Sequence, residues 1–110
     1  MEISEDTRNL INQFQNYQQQ LQNVLIQKES LKLQNLEIDK AIEELGKSNQ
    51  PTAYKITGQI MISKSVEELK KELNETKEAI DVRLKSLEKN EGRFTAKLNE
   101  LQTKLKDVIK

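Results

Sequence analysis

Positions 10, 14, 17, 21, 24, 28, 31, 35, 38, 42 and 45 follow one another by alternating steps of four and three. They read Leu10, Phe14, Tyr17, Leu21, Val24, Lys28, Leu31, Asn35, Ile38, Ile42 and Leu45, and nine of the eleven are apolar. A period of about 3.5 residues keeps one stripe in contact with a partner stripe only if the helices supercoil left-handedly. Composition agrees with a seam rather than a compact core. The hydrophobic fraction is 35%, against the roughly 45–50% apolar usage (counting Gly) of ordinary globular domains. A charged fraction of 33% would also suit disorder, but a disordered chain has no reason to keep the heptad.

A second seam occupies 66–110: Val66, Leu69, Leu73, Thr76, Ile80, Leu84, Leu87, Glu91, Phe94, Leu98, Leu101, Leu105 and Val108. The step of four from Ile80 to Leu84, where three is due, predicts a stutter that unwinds the supercoil locally. Ser4, Asp6 or Thr7 can cap the first helix, and Gly46 is positioned to end it. Ser65 with Glu68 forms a capping box for the second helix. We read a single domain over 1–110, with a helix over 7–46, an insert over 47–65 and a helix over 66–110. Helices of this length would each be about 60–70 Å long.

The insert has another texture. Lys47 to Thr52 is turn-rich and contains Pro51. Ala53-Tyr54-Lys55-Ile56-Thr57 alternates with period two, Gly58-Gln59 suits a two-residue turn with Gly first, and Ile60-Met61-Ile62-Ser63-Lys64 is a second β-rich run. Tyr54 and Ile56 share a face of the first strand, and Ile60 and Ile62 share a side of the return strand. An insert this short makes the second helix run back antiparallel to the first. Asn35 then falls near Thr76 and Lys77, either as a polar layer that fixes register or as a solvated residue off the seam. A lone hairpin is marginal in water, with open edges and uncovered apolar side chains. Two solutions exist: the hairpin caps its own helices, or hairpins from several chains close into one sheet. The second is the more economical, because both helices are occupied with each other.

The helices around Ala53-Tyr54-Lys55-Ile56-Thr57-Gly58-Gln59-Ile60-Met61-Ile62 make the chain similar to a prefoldin subunit. The sharpest part is Tyr54-Lys55-x-x-Gly58-x-Ile60-Met61-Ile62, preceded by Ile42-Glu43-Glu44-Leu45 and followed by Val66-Glu67-Glu68-Leu69. The single insert resembles the β-type subunit, since α-type subunits carry two hairpins, and the His-free, Lys/Glu/Ile-rich composition looks archaeal. The resemblance implies a mainly α fold. It consists of a long antiparallel two-helix coiled coil joined by one β-hairpin that assembles into an intersubunit β-barrel platform, in a hexamer of two α and four β subunits. It also implies an ATP-independent holdase that binds unfolded or nascent polypeptides at coiled-coil tips and delivers them to a group II chaperonin.

Carried onto this chain, the resemblance makes Tyr54, Ile56, Gly58, Ile60 and Ile62 assembly residues. The chain ends would be the client-binding tips, through Ile3, Leu10, Ile11, Phe14, Leu105, Val108 and Ile109. The same residues could equally serve ordinary packing of helix ends. Gly92, inside the second helix, either loosens the tip or is a tolerated weak point. Lys28, on the seam, can lay its stem along apolar surface while its ammonium reaches water.

Other chemistry finds little support. The chain has no His and no Cys, so no metal site and no cofactor is expected, and the scattered carboxylates form no acid–base pair. We expect no enzyme activity. Eighteen acidic residues balance eighteen basic ones, which makes no case for nucleic acid or an anionic membrane. The Gln-rich stretch from Gln13 to Gln27 reads either as a polar lining for the tip or as a solvated helix face. The acidic start is unlike a signal peptide and no apolar run reaches membrane-spanning length, so a cytoplasmic protein is expected. The rival reading is a structural tether that binds one specific helical partner and ignores unfolded proteins.

Overall fold

The computed structural model describes residues 3–109, with the side chain of Ile109 outside the description. The order of elements is α1 (Glu5–Lys47), β1 (Thr52–Thr57), β2 (Ile60–Ser65) and α2 (Val66–Ile109). Ser4 is the N-cap of α1: its Oγ accepts the Thr7 amide at 3.1 Å and donates to Thr7 Oγ1 at 2.8 Å, which satisfies the buried Thr7 hydroxyl. The other end differs from expectation. Gly46 lies inside the last turn, and the helix closes without a left-handed glycine, since Gly58 is the glycine with positive φ. The Ser48 amide still reaches Glu44 O at 3.2 Å, Ser48 Oγ then accepts the Gln50 amide, and Pro51 has no amide with which to continue.

The chain divides into two compact units. One comprises residues up to 29 and from 85 onward, and is called the chain-end unit below; the other is Ser30–Leu84 and carries the hairpin. In each unit a segment of α1 lies antiparallel to a segment of α2. In the chain-end unit Tyr17 meets Phe94 with ring centroids 6.0 Å apart, and Lys28 Nζ donates to Glu91 Oε2 at 2.6 Å. Val24, Leu87 and Leu101 form its core. In the hairpin-bearing unit Asn35 Nδ2 donates to Asp81 Oδ1 at 2.8 Å and Lys77 Nζ donates to Asp39 Oδ1, while Val66, Leu69 and Ile80 are buried.

Every expected seam position of α1 is at least half-buried. On α2 two expected positions, Thr76 and Val108, are exposed. Thr76 turns its hydroxyl back to Glu72 O, and Lys77 takes the inward place, half-buried against Asp39. With Lys77 on the stripe, the two consecutive steps of four are Leu69 to Leu73 and Leu73 to Lys77, not the pair ending at Leu84. The stutter therefore lies nearer the hairpin than the side-chain types suggest. Asn35 finds Asp81 rather than Thr76 or Lys77, about one helical turn further along α2.

The hairpin is antiparallel and in the expected register, with Thr57 opposite Ile60 and Thr52 opposite Ser65. Gly58 has φ 61° and Gln59 does not have positive φ, which makes a type II′ turn. At the base, the Val66 amide donates to Pro51 O at 3.0 Å. Ser65 Oγ accepts the Glu68 amide at 3.1 Å, the first half of the capping box.

Candidate functional site

Two surfaces carry the residues singled out from sequence. The first is the hairpin. Direct opposition across an antiparallel pair places side chains on one face, so the register puts Tyr54, Ile56, Met61 and Ser63 together, and Ala53, Lys55, Thr57, Ile60, Ile62 and Lys64 on the other face. The assembly candidates are thus split between two faces, with Tyr54 and Ile56 on one and Ile60 and Ile62 on the other. Tyr54, Ile56, Ile60 and Met61 are 64–71% exposed and Ile62 is 40% exposed. Within the chain, then, the hairpin does not cap its own helices: its large apolar side chains all stay exposed, Ile62 the least. Met61 belongs to this surface and was not singled out, although its place opposite Ile56 could have been read from the two-residue turn.

Beside β1 lies a groove of about 610 Å³, lined in part by Ala41, Leu45, Leu73, Ala53, Tyr54 and Lys55. Charged contacts bridge hairpin and helix: Glu72 Oε2 accepts from Lys55 Nζ at 3.3 Å, and Glu72 Oε1 accepts from Lys64 Nζ. The Lys64 hydrogen bond, and after it the bond and charge of Lys55, hold the Glu72 carboxyl below the usual carboxylate range against the opposing effect of desolvation. The bond to Glu72 raises Lys64 in turn.

The second surface is formed by the chain ends. Ile3 and Val108 are each 51% exposed. Leu10, Ile11, Phe14 and Leu105 are half-buried along the stripe, and the side chain of Ile109 lies outside the described residues. Further in, the bond from Lys28 to Glu91 raises the lysine pKa despite some desolvation, with Glu88 and Glu29 adding negative charge nearby. Gly92 is exposed, and a Cβ built there would meet nothing within 4 Å. Sequence reasoning did not pick out the exposed Leu25 and Ile26 of the chain-end unit, or Leu33, Leu36 and Val82 of the hairpin-bearing unit. All five lie off the seam, where the heptad gives no signal.

These features define a class: a coiled-coil subunit with one open hairpin. Comparison with known proteins narrows it. The family model described as prefoldin subunit matches residues 8–110. Prefoldin subunit beta of Archaeoglobus fulgidus is 34% identical over 109 residues, covering 98% of this chain and 94% of that protein. The Thermococcus onnurineus prefoldin subunit beta is 35% identical over 102 residues, covering 92% and 88%. The crystal structure of the prefoldin beta subunit from Thermococcus strain KS-1 superimposes with a TM-score of 0.86 at 30% identity, covering 97% of this chain and 95% of that one. The chain belongs to the prefoldin subunit family, whose members are chaperone components.

Proposed function

We propose that this chain is the β-type subunit of a hetero-oligomeric chaperone that holds unfolded polypeptides without ATP. The observation that carries the reading is the uncovered hairpin, whose large apolar side chains are 40–71% exposed on both faces of a two-stranded sheet. Such a sheet is incomplete alone, and hairpins of other subunits are the chemically matched complement. In this reading two α-type and four β-type subunits join their hairpins into a closed barrel platform. Tyr54, Ile56, Ile60, Ile62 and the turn glycine Gly58 make the joint.

The client surface is the chain-end unit. Ile3 and Val108 offer open apolar area, and Leu10, Ile11, Phe14 and Leu105 offer more if the helix ends part. Burial at roughly 25 cal/mol per Å² of apolar contact needs no shaped pocket, so such a surface is unselective. A group II chaperonin would receive the client in the cytoplasm. Among the described residues no helix is long and apolar enough to cross a membrane.

The test is aggregation suppression. A chemically unfolded client is diluted into the chain reconstituted with an α-type subunit, without ATP, while light scattering is followed. Suppression near one hexamer per client is expected; undiminished scattering from a confirmed complex rejects holding for that client. Removing residues 1–8 and 106–110 should preserve the complex and weaken holding, and full holding by that truncation would move the client site elsewhere.

A further inference from the structure

One carboxylate links both strands of the hairpin to the second helix. Lys55 comes from β1, Lys64 from β2, and each takes a different oxygen of Glu72. The register places Lys64 opposite Ala53 and Lys55 opposite Ile62, so both lysines project from the same face. At its base that face is the less open one: Ala53 and Lys64 are half-buried and Ile62 is 40% exposed, although Ile60 next to the turn is 65% exposed, while Tyr54, Ile56 and Met61 on the other face are 67%, 71% and 64% exposed. Apolar packing of the hairpin on its own chain is only partial, and the groove beside β1 leaves that side open. Its attitude is set further by the loop-free junction of β2 with α2, the backbone bond from Val66 to Pro51 and the Glu72 link.

We propose that Glu72 is a positioning residue: by holding Lys55 and Lys64 it clamps one face of the hairpin to α2 and turns the Tyr54–Ile56–Met61 face outward to meet a hairpin of the partner subunit. This rests on the assembly reading above and adds which face is presented and what presents it. An exposed ion pair contributes little on its own, because water screens it and two side chains lose freedom. A hairpin is itself marginal, however, and a small bias then shifts how often it stands in the competent attitude. Glu72 is held acidic and Lys64 basic, with Glu68 adding negative charge near Lys64. The link is therefore intact from about pH 5 to 10 and responds to salt rather than to pH.

The test uses the full chain, alone and mixed with an α-type prefoldin subunit. Association is read by light scattering after size exclusion, and amide hydrogen exchange of 52–65 is read in the chain alone. Glu72→Lys should weaken association roughly three- to tenfold and speed hairpin exchange by a similar factor, the scale on which exposed pairs bias a population. Glu72→Gln should move both readouts the same way by less. The reversal Lys55→Glu, Lys64→Glu, Glu72→Lys should restore both. Wild-type exchange and association in Glu72→Lys overturn the clamp, and so does a loss that the reversal does not recover. As a control, Ile56→Asp with Met61→Asp tests the presented face: normal association of that variant overturns the orientation proposed here, whereas the assembly reading itself fails only if aspartates on both faces, Ile56→Asp with Ile60→Asp, leave association normal.

Discussion

Leu87 and Leu101 of the chain-end unit keep 3% and 1% of their surface, while Ile56 and Ile60 of the hairpin keep 71% and 65%. The side chains are alike; the elements that carry them are not. A helix satisfies its own backbone and needs only one neighbouring stripe, which the same chain supplies. A two-stranded sheet has two faces and two edges, and this chain leaves one face open and covers the other only in part. Each isoleucine left open stands to gain about 1.5–3 kcal/mol on full burial. The helices therefore settle the form of the subunit, and the hairpin holds apolar surface left open within the chain, which the proposed assembly would cover.

Four changes would break or sharpen that contrast. The largest effect is expected from Ile56→Asp with Ile60→Asp, one on each face of the hairpin, which should abolish assembly while leaving helical circular dichroism intact; an unchanged mass by size exclusion removes the hairpin from the joint. Next is Leu101→Ala, expected to cost about 2–5 kcal/mol in chemical or thermal melts, because a fully buried leucine leaves a cavity. If Leu101→Ala instead disrupts assembly at constant stability, the division of labour is wrong. Gly92→Ala should stabilise α2 by about 0.5–1 kcal/mol, since the site is helical, open and without positive φ. A rise in melting temperature together with poorer client holding would show that Gly92 keeps the end loose.

The smallest effect is expected from Lys28→Met with Glu91→Leu. Replacing a seam ion pair by apolar side chains is commonly neutral or stabilising, so the melting temperature should hold or rise and depend less on salt. In the parent protein the bond to Glu91 raises the Lys28 pKa. Its contribution is accordingly full below the ordinary lysine pKa of about 10.4 and is lost as pH rises through the higher folded value. An alkaline pH dependence of the melts that is smaller in the double variant than in the parent would confirm the assignment, the remainder belonging to lysines such as Lys64 that are raised elsewhere.

The heptad made the α1 stripe legible residue by residue, because burial there follows spacing alone. It failed at Thr76, where apolar character was the guide and the neighbouring Lys77 had the longer reach to Asp39. Gly46 misled because a glycine near a helix end suggests a left-handed cap, whereas Ser48 and Pro51 suffice to end α1. In the hairpin, Gly58-Gln59 was enough to set the register, and the register was enough to place Met61 with Ile56. Grouping Ile60 and Ile62 with Tyr54 and Ile56 as one set passed over that pairing. The link from Lys55 and Lys64 to Glu72 was not legible at all: lysines and glutamates occur throughout the chain, and only three-dimensional placement selects this trio. Leu25, Ile26, Leu33, Leu36 and Val82 escaped notice for a related reason, since an apolar residue off the stripe has no periodic partner to mark it.

Ser65 is both the last residue of β2 and the residue whose hydroxyl caps α2, so strand passes into helix with no intervening loop. At the other junction four residues, 48–51, separate α1 from β1. The two joints thus differ in phase tolerance. An extra residue among 48–51 can be taken up as slack. An extra residue after Ser65 would turn every later side chain of α2 by about 100° about the helix axis, carrying Leu69 and Leu73 off the stripe while the strands stayed paired. The sheet and the second helix are geared together at this point, and a deletion or insertion scan should find one side of the hairpin permissive and the other nearly closed to change.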